Sequence, residues 1–138
     1  MIYLPDTNVF SRYLRNRRED ASLCDRLELE LASCRMSAIV LMELEYGAAK
    51  SPGLPQLRAR VDSLHGLFNV DDFDARAAVE AGNVRAFLAN LKPNAQPIGP
   101  YDVLLAGHAR ALGAVFITHN TREFSRVPGL RVEDWQTA

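Results

Sequence analysis

Four carboxylates and one amide lie in this chain either shortly after a predicted strand or in a helix that adjoins one. Asp6 directly follows a short apolar run, and Asn120 and Glu123 come shortly after a second one. Asp102 lies in the first turn of the helix predicted before that second run, and Glu43 lies in the helix predicted after another short strand. These side chains offer oxygen ligands, which suit hard cations such as Mg²⁺ or Mn²⁺ rather than zinc. A magnesium ion held by a few carboxylates is the usual equipment of phosphoryl chemistry.

The elements that must position these side chains alternate along the sequence. Apolar spacing predicts strands at 1–4, 35–38 and 114–118, a strand or extended link at 69–73, and helices at 7–15, 22–33, 39–50, 54–68, 74–91, 101–113 and 121–124. Strands alternating with helices in one small chain indicate an α/β fold with a mostly parallel sheet flanked by helices. Ligand sites of such sheets form beyond the carboxyl ends of the strands, so this sheet can bring the candidate acids together.

Each candidate acid also has a purely structural explanation. Asp6 has the residue type and position of a helix N-cap. Asp102 suits the first turn of a helix because the helix dipole favours a negative charge there. Asn120 and Glu123 have the spacing of a capping box for the short helix that follows them. Any one of these residues taken alone is therefore weak support for catalysis.

Helical periodicity does not decide which glutamate of the third predicted helix faces the sheet. Glu43 and Glu45 both have apolar residues three or four positions away. The joint pattern of acids is more informative. Three or four carboxylates in one cleft repel one another, which raises their pKa values and destabilises the fold unless a cation is present. A cluster of that kind therefore predicts a metal site.

The composition limits the classes of function. A chain of 138 residues with 48% hydrophobic residues suits one compact domain with a sizeable core. Sixteen Lys and Arg against seventeen Asp and Glu give a formal net charge of -1, so no overall charge draws the chain to nucleic acid or to an anionic membrane. A polyanion would have to meet a local patch, for which Arg12, Arg15, Arg17 and Arg18 are candidates, although they suit a solvated helix face equally well.

The two cysteines indicate a reducing compartment. Cys24 and Cys34 fall near the ends of the predicted helix 22–33, which Ser22 and Asp25 would open as a capping box. If that helix is continuous, a rise of about 1.5 Å per residue separates the thiols by roughly 15 Å, too far for a disulfide. We therefore expect a cytoplasmic protein. We also expect no signal peptide, because the N-terminus has no basic region followed by an apolar core, and no membrane partner, because no apolar run approaches ~18 residues.

Four separated segments resemble the signature blocks of one family. They are LPDTNVFSRYLR, SAIVLMELEYGAAKS, IGPYDVLLAGHARALG and FITHNTREFSRVPGLRVEDW. In this order and at this spacing they are similar to PIN-domain ribonucleases, specifically the VapC-type toxins of bacterial toxin–antitoxin pairs. The ending REFSRVPGLRVEDW is especially similar to a VapC subgroup that cuts initiator tRNA. The resemblance implies a single PIN domain over residues 1–138, with a mostly parallel sheet in an α/β/α sandwich.

The resemblance also implies a Mg²⁺-dependent endoribonuclease, with Mn²⁺ as a substitute, and assigns roles to the acids. By their places in the motifs, Asp6, Glu43 and Asp102 would hold the metal and act in catalysis, which selects Glu43 over Glu45. The residues expected to support these acids are Thr7, Asn8, Thr118 and Asn120.

The chain departs from the family pattern in two places. Many PIN domains carry a fourth Asp after the last core strand, where this chain has Asn120, so we assign that catalytic role to Glu123. Pro5 replaces the usual Leu or Met before the first acid and removes a backbone donor at the strand end. The nearby histidines, His108 and His119, are left out of the catalytic set, because a single neutral histidine more often makes a local hydrogen bond.

The resemblance further implies partners. A VapB-type antitoxin would hold the toxin inactive, with its C-terminal segment in the groove near the acids and an antitoxin arginine reaching into the site. A homodimer is expected, and the assembled complex would bind promoter DNA only through the antitoxin. The substrate would be RNA, with tRNA expected.

Two other classes of protein also fit parts of the sequence. A phosphoacceptor phosphohydrolase or a receiver domain places an Asp at a strand end, but the former would carry a second Asp where this chain has Asn8. A receiver would need paired acids after the first strand and a Lys after a late strand, and neither appears in LPDTN or FITHNT. A PIN-like module that binds RNA or a partner without cutting would fit the amide at Asn120, although Glu43 and Asp102 favour catalysis.

Overall fold

A computed structural model describes residues 1–91 and 98–136, so most of the predicted loop at 92–100 lies outside the described residues. The strands are β1 (Tyr3–Pro5), β2 (Arg35–Ser37), β3 (Asn69–Asp71), β4 (Val115–Ile117) and β5 (Arg131–Glu133). The helices are α1 (Thr7–Arg15), α2 (Ala21–Leu29), α3 (Ala38–Ala49), α4 (Pro55–Leu67), α5 (Ala75–Ala89), α6 (Pro100–Leu112) and α7 (Thr121–Phe124). Single 3₁₀ turns follow α1 and α2, at Arg18–Asp20 and Leu31–Ser33.

The strands lie side by side in one direction. β1 pairs in parallel with β4, β4 with β5, and β2 with β3. An isolated parallel bridge between Tyr3 and Cys34 joins the two groups and gives the order β3-β2-β1-β4-β5. The chain moves outward from β1 to β3 and then crosses back to β4, so the order reverses between β1 and β4. In open α/β sheets the loops diverge at such a point and leave a crevice for a ligand.

Helices cover both faces of the sheet. α1 packs against α2, α3 and α4, whereas α5 and α6 pack on each other and α6 contacts β1 and β4. Leu4 and Phe116, in the central strands, are fully buried, and the Phe116 ring meets that of Phe124 edge to face with centroids 5.2 Å apart. Strands buried on both faces are typical of a parallel sheet between two helix layers. The predicted α/β/α fold is therefore confirmed.

A glycine lets α5 and α6 approach closely. A Cβ added to Gly107 of α6 would lie 2.3 Å from the Cα of Ala81 in α5, so no larger side chain fits there without a backbone shift. Asp102 lies in the first turn of the same helix α6. The crossing of α5 and α6 thus helps to set where this carboxylate stands.

Pro5 is compatible with the sheet because of the direction in which its nitrogen points. The carbonyl of Ile2 and the N–H of Asp6, on either side of β1, both bond β4, so the even-numbered residues in and beside β1 point their backbone groups toward that strand. Pro5 directs its nitrogen to the opposite side, toward β2. β2 joins β1 through the isolated bridge at Tyr3, two residues earlier. The missing donor of Pro5 therefore leaves the β1–β4 ladder intact.

The second helix begins differently from its prediction. Asp20 is its N-cap residue, so Ser22 lies inside the helix and the predicted capping box with Asp25 is wrong. The side chain of Asp20 makes no capping hydrogen bond, because it is engaged with the guanidinium of Arg12 at 2.9 Å. The helix also ends four residues before its predicted end, where the 3₁₀ turn at 31–33 begins to lead into β2.

Two further observations concern the cysteine thiols and the length of the helices. Cys24 and Cys34 are both buried free thiols. Across residues 1–91 and 98–136, no helix combines the length and the apolar character needed to cross a membrane.

Candidate active site

Asp6 stands at the carboxyl end of β1 and is 4% exposed. Its N–H donates to the carbonyl of Ile117 in β4 at 2.9 Å, and its Oδ1 accepts from the N–H of Val9 at 2.9 Å. The residue therefore caps α1, as the structural interpretation of the sequence predicted. Burial raises the pKa of this carboxyl, while hydrogen bonds from Val9, from the Thr118 hydroxyl and from the Asn8 N–H act in the opposite direction. A buried acid is thus held rigidly between the sheet and a helix.

Glu43 and Asp102 reach the same end of the sheet from different helices. Glu43 lies on α3 and is half-buried, and its Oε1 accepts a hydrogen bond from the hydroxyl of Thr7 at 2.5 Å. Burial of Asp102 raises the pKa of its carboxyl to about 6, and the negative charges of Asp6 and Glu43 add to this effect. The charge of Glu43 also raises the pKa of Asp6. The three carboxylates are therefore near enough to repel one another.

These acids do not form a closed shell of ligands. In the described part of the chain, no three side chains among His, Cys, Asp and Glu converge closely enough to hold an ion by themselves. Repulsion between uncompensated carboxylates accounts for such an open arrangement. Mg²⁺ keeps several waters and usually takes only one or two carboxylates, whereas structural zinc requires a closed set of nitrogen or sulfur ligands. The oxygen-only donors of this site therefore fit Mg²⁺ or Mn²⁺.

Threonine hydroxyls hold two of the carboxylates. Thr118, buried after the end of β4, hydrogen-bonds Asp6 across the point where the strand order reverses. Its Oγ1 in turn accepts from the N–H of Asn120 at 3.1 Å. Thr7, the first residue of α1, holds Glu43. Two of the four predicted supporting residues therefore contact acids through their side chains.

The other two supporting residues and the fourth acid lie differently. Asn8 acts on Asp6 through its backbone N–H. The Asn120 side chain makes no capping hydrogen bond, so the capping box considered for the start of α7 is absent. Glu123 is 5% exposed, but it is not among the charges that raise the pKa values of Asp6 and Asp102. The structure thus groups three of the predicted acids and leaves Glu123, on α7, outside that group.

Two histidine contacts join residues far apart in the sequence. His119 is exposed, and its Nδ1 lies 2.9 Å from Oδ2 of Asp134, which follows β5. His108 is buried, and its Nδ1 lies 2.9 Å from Oγ of Ser37. Neither Ser37 nor Asp134 is a candidate from the sequence. The position of Ser37 directly before α3 is typical of a helix N-cap and is the one sequence signal for its role.

The arginine patch considered for polyanion binding is partly neutralised. Arg12 pairs with a buried aspartate at 2.9 Å, and Arg17 with a glutamate at 3.8 Å. Arg15 and Arg18 are exposed and form no ion pair with other described residues. The patch therefore offers two free charges beside α1.

Comparisons with known proteins agree with this fold. Residues 3–130 match the family model of the PIN domain, which defines the class of the protein. A protein of Shigella flexneri named tRNA(fMet)-specific endonuclease VapC is 41% identical over 133 residues, which cover 96% of this chain and 97% of that protein. The chain belongs to the VapC ribonuclease family of PIN-domain proteins.

Solved structures of related complexes have the same fold. The DNA-bound VapBC of Salmonella typhimurium has a chain that matches with a TM-score of 0.83 at 38% identity, covering 98% of each chain. VapBC2 of Rickettsia felis, bound to a DNA fragment from its promoter, matches with a TM-score of 0.83 at 33% identity and covers 98% of this chain and 99% of that one. The resemblance stated from the four sequence segments is therefore confirmed, and it argues against the phosphoacceptor alternative.

Proposed function

We propose that this chain is a Mg²⁺-dependent endoribonuclease, the toxin of a VapBC toxin–antitoxin module, and that it inhibits translation by cutting tRNA. One observation supports the chemistry most strongly. In a member of the VapC family, Asp6, Glu43 and Asp102 come within electrostatic reach of one another at the point where the strand order reverses. A site of that kind attracts a divalent cation, because the cation removes the repulsion between the acids.

Asp6, Glu43 and Asp102 are the residues that we assign to the metal, with Mn²⁺ as a substitute for Mg²⁺. When bound, such an ion supplies positive charge near the scissile phosphate and makes water a better nucleophile. The chain's own part is to fix the acids. Val9 and Thr118 orient Asp6, and the Thr7 hydroxyl orients Glu43. Rigid support of this kind is what a precise catalytic geometry requires.

We assign the fourth acidic role to Glu123, with Thr7, Asn8, Thr118 and Asn120 as supporting residues. The burial of Glu123 on α7, six residues after the end of β4, is the observation in favour. Hydrolysis with the 3′ oxygen as the leaving group would give products with 5′-phosphate and 3′-hydroxyl ends.

The substrate that we propose is a tRNA anticodon loop, with initiator tRNA as the first candidate. The support is the 41% identity to a protein named for tRNA(fMet). Sequence-specific RNA recognition usually targets such single-stranded loops, whose bases can be splayed out and contacted individually. The free charges of Arg15 and Arg18 offer a local surface for the RNA backbone in a chain without net positive charge.

We propose a VapB-type antitoxin as the protein partner and a homodimer as the toxin's own assembly. Related solved structures are VapBC complexes, two of them bound to DNA, which supports the antitoxin as the route to promoter DNA. An antitoxin arginine would suit the acidic site, because a guanidinium pairs with carboxylates in a bidentate way. We further propose that residues 1–138 act as a single PIN domain in the cytoplasm, where buried free thiols such as Cys24 and Cys34 persist.

The proposal is tested with purified, antitoxin-free protein and total bacterial tRNA. The protein is incubated in Mg²⁺, beside EDTA and Asp6→Asn controls, and the cleaved ends are mapped. We expect cuts that need both the metal and Asp6, confined to one anticodon loop. Folded protein that leaves tRNA uncut would point to another RNA as the substrate, or to the non-cutting PIN-like module considered from the sequence.

That module is favoured by the amide of Asn120, which stands where many PIN domains carry a fourth Asp. A titration with Mn²⁺ separates the two functions. A nuclease binds the ion at the acids and loses this binding in Asp102→Asn, whereas a module that only binds RNA retains RNA binding and shows no Asp102-dependent uptake of Mn²⁺.

A further inference from the structure

Ser37 and His108 meet in the interior, between helices α3 and α6. Ser37 is 0% exposed and His108 is 1% exposed, and a hydrogen bond joins Oγ of Ser37 to Nδ1 of His108 over 2.9 Å. The two residues are 71 positions apart in the sequence. Polar groups buried to this degree are costly unless they are paired, so each holds the other in place.

The same serine also fixes the start of α3. Ser37 ends β2 and is the N-cap of α3, where its Oγ accepts from the N–H of Ile39 at 3.1 Å. One hydroxyl therefore contacts both the first turn of α3 and the side chain of His108 on α6. A movement of either helix along the other would break one of these two bonds.

Each of these helices carries one acid of the candidate site. Glu43 lies six residues after Ser37 on α3, and Asp102 lies six residues before His108 on α6. Six residues of helix span roughly 9 Å, so a short, rigid segment of helix connects each acid to the Ser37–His108 contact. α3 and α6 also contact each other directly. Their strands β2 and β4 are not neighbours in the sheet, so strand pairing alone does not set the distance between Glu43 and Asp102.

The surroundings keep His108 in one state and one orientation. The ring of Phe73 meets the imidazole edge to face, with centroids 5.4 Å apart. Burial lowers the pKa of His108, an effect that the charges of Asp71 and Asp74 oppose. A neutral imidazole fixed by an aromatic ring and a hydroxyl is a rigid spacer between the two helices.

We propose that the Ser37–His108 hydrogen bond sets the separation between Glu43 and Asp102, and thereby the affinity of the acidic site for a divalent cation. This inference rests on the proposed function, because that function assigns the two acids to one metal. Ser37 and His108 are positioning residues, and their effect reaches the site through α3 and α6. Outer partners that orient metal ligands commonly change metal affinity when they are lost.

Two substitutions at His108 separate the hydrogen bond from packing. His108→Leu fills similar space without a polar atom, whereas His108→Asn places an amide near the position of Nδ1. Ser37→Ala and Ser37→Thr form a second pair, in which only threonine keeps the hydroxyl. Leu130→Ala is the control for lost stability, because Leu130 is buried just before β5, at the opposite end of the sheet.

The measurement is Mn²⁺ binding to each protein, followed by the loss of the free-ion electron paramagnetic resonance signal. We expect the dissociation constant to rise about 3- to 10-fold in His108→Leu and in Ser37→Ala, somewhat less than for a partner bonded directly to a ligand. His108→Asn and Ser37→Thr should stay near wild type. The double variant His108→Leu, Ser37→Ala should bind Mn²⁺ no more weakly than Ser37→Ala alone, since Ser37→Ala already removes the bond that His108→Leu removes.

Several results would overturn the inference. Wild-type affinity in both His108→Leu and Ser37→Ala is one, and an equal loss in Leu130→Ala is another, since reduced stability would then explain the change. If His108→Leu does not fold, the comparison of Ser37→Ala with Ser37→Thr tests the same hydrogen bond. The proposed function is judged separately. If wild type binds Mn²⁺ and cuts tRNA while Asp102→Asn is inactive, the proposed function holds even when the positioning role fails. A wild type that does neither refutes both.

Discussion

The hydroxyl of Thr7 donates a 2.5 Å hydrogen bond to Oε1 of Glu43 and so joins the first turn of α1 to the middle of α3. The residue before it, Asp6, caps the same helix α1 through the N–H of Val9. Two acids assigned to one metal are therefore both held by hydrogen bonds from the N-terminal turn of α1. Displacement of this turn would move Asp6 and the support of Glu43 together.

The first prediction concerns this threonine. Thr7→Val replaces the hydroxyl with a methyl group of similar shape and leaves Glu43 without its donor. We expect the Mg²⁺ concentration for half-maximal tRNA cleavage to rise about 10-fold, the lower end of the effect usual for such partners. Thr7→Ser keeps the hydroxyl and should remain close to wild type. An equal loss in Thr7→Ser would contradict the role of the hydrogen bond and point to packing at the start of α1.

The second prediction concerns the stability of the metal-free protein. In the folded chain the pKa of Asp102 is raised from 3.8 to about 6, so the folded state binds this proton more tightly than the unfolded state does. The stabilising contribution of the protonated carboxyl is full below pH 3.8 and is lost as the pH rises through about 6. Above that range the ionised group destabilises the fold by about 1–3 kcal/mol, with allowance for its partial exposure.

Asp102→Asn, which does not titrate, should therefore be more stable than wild type in EDTA at about pH 8, and the gain should shrink toward about pH 4. Urea denaturation at the two pH values measures the difference. Mg²⁺ should stabilise wild type and have little effect on the variant, because binding to the folded state alone adds to stability. A gain that is independent of pH would show that the charge of Asp102 is not its cause.

The sequence predicts elements whose signals are local. Apolar spacing predicts a helix over 7–15, and α1 is observed at Thr7–Arg15, because Asp6 supplies an N-cap and Asn16 takes the left-handed conformation, with a φ of 50°, that ends the helix. β5 was not predicted. Its three residues, Arg131–Glu133, include no apolar run, and the strand exists because it pairs with β4 at the edge of the sheet. A strand that depends on such tertiary pairing need not show a periodic pattern of apolar residues in the sequence.

The site shows the same division between local and long-range information. The types and approximate positions of Asp6, Glu43 and Asp102 follow from strand ends and motif blocks. Their mutual distance depends on the order of strands, which places β1 beside β4 although more than 100 residues separate them along the chain. Likewise, the Ser37–His108 contact spans 71 positions and has no signature beyond a serine at the start of a helix.

The third prediction tests the crossing of α5 and α6. Gly107→Ala should lower the free energy of unfolding by about 1–3 kcal/mol or more, because the added Cβ would meet backbone atoms that have no rotamer in which to move away. The Cα and N of Ala81 would lie 2.3 Å and 2.4 Å from it. Gly82→Ala is the matched control on α5, since a Cβ there meets nothing within 4 Å.

We expect Gly82→Ala to raise stability by about 0.5–1 kcal/mol, the usual gain for replacing a glycine inside a helix. Urea denaturation of both variants provides the measurement. Opposite signs are the expected result. Stabilisation by both substitutions would mean that α5 and α6 are further apart than the contact between Gly107 and Ala81 requires.

The fourth prediction separates Glu123 from Asn120 as the source of the fourth acidic role. Glu123→Gln removes a charge with little change in shape, so if this residue takes part in proton transfer, cleavage at saturating Mg²⁺ should fall about 10²-fold or more. Asn120→Asp should then change little, because the role is already filled. The comparison needs single-turnover cleavage rates of both variants on the same tRNA. A faster Asn120→Asp variant, together with an unaffected Glu123→Gln variant, would instead assign the role to position 120 and leave Glu123 as a buried structural residue of α7.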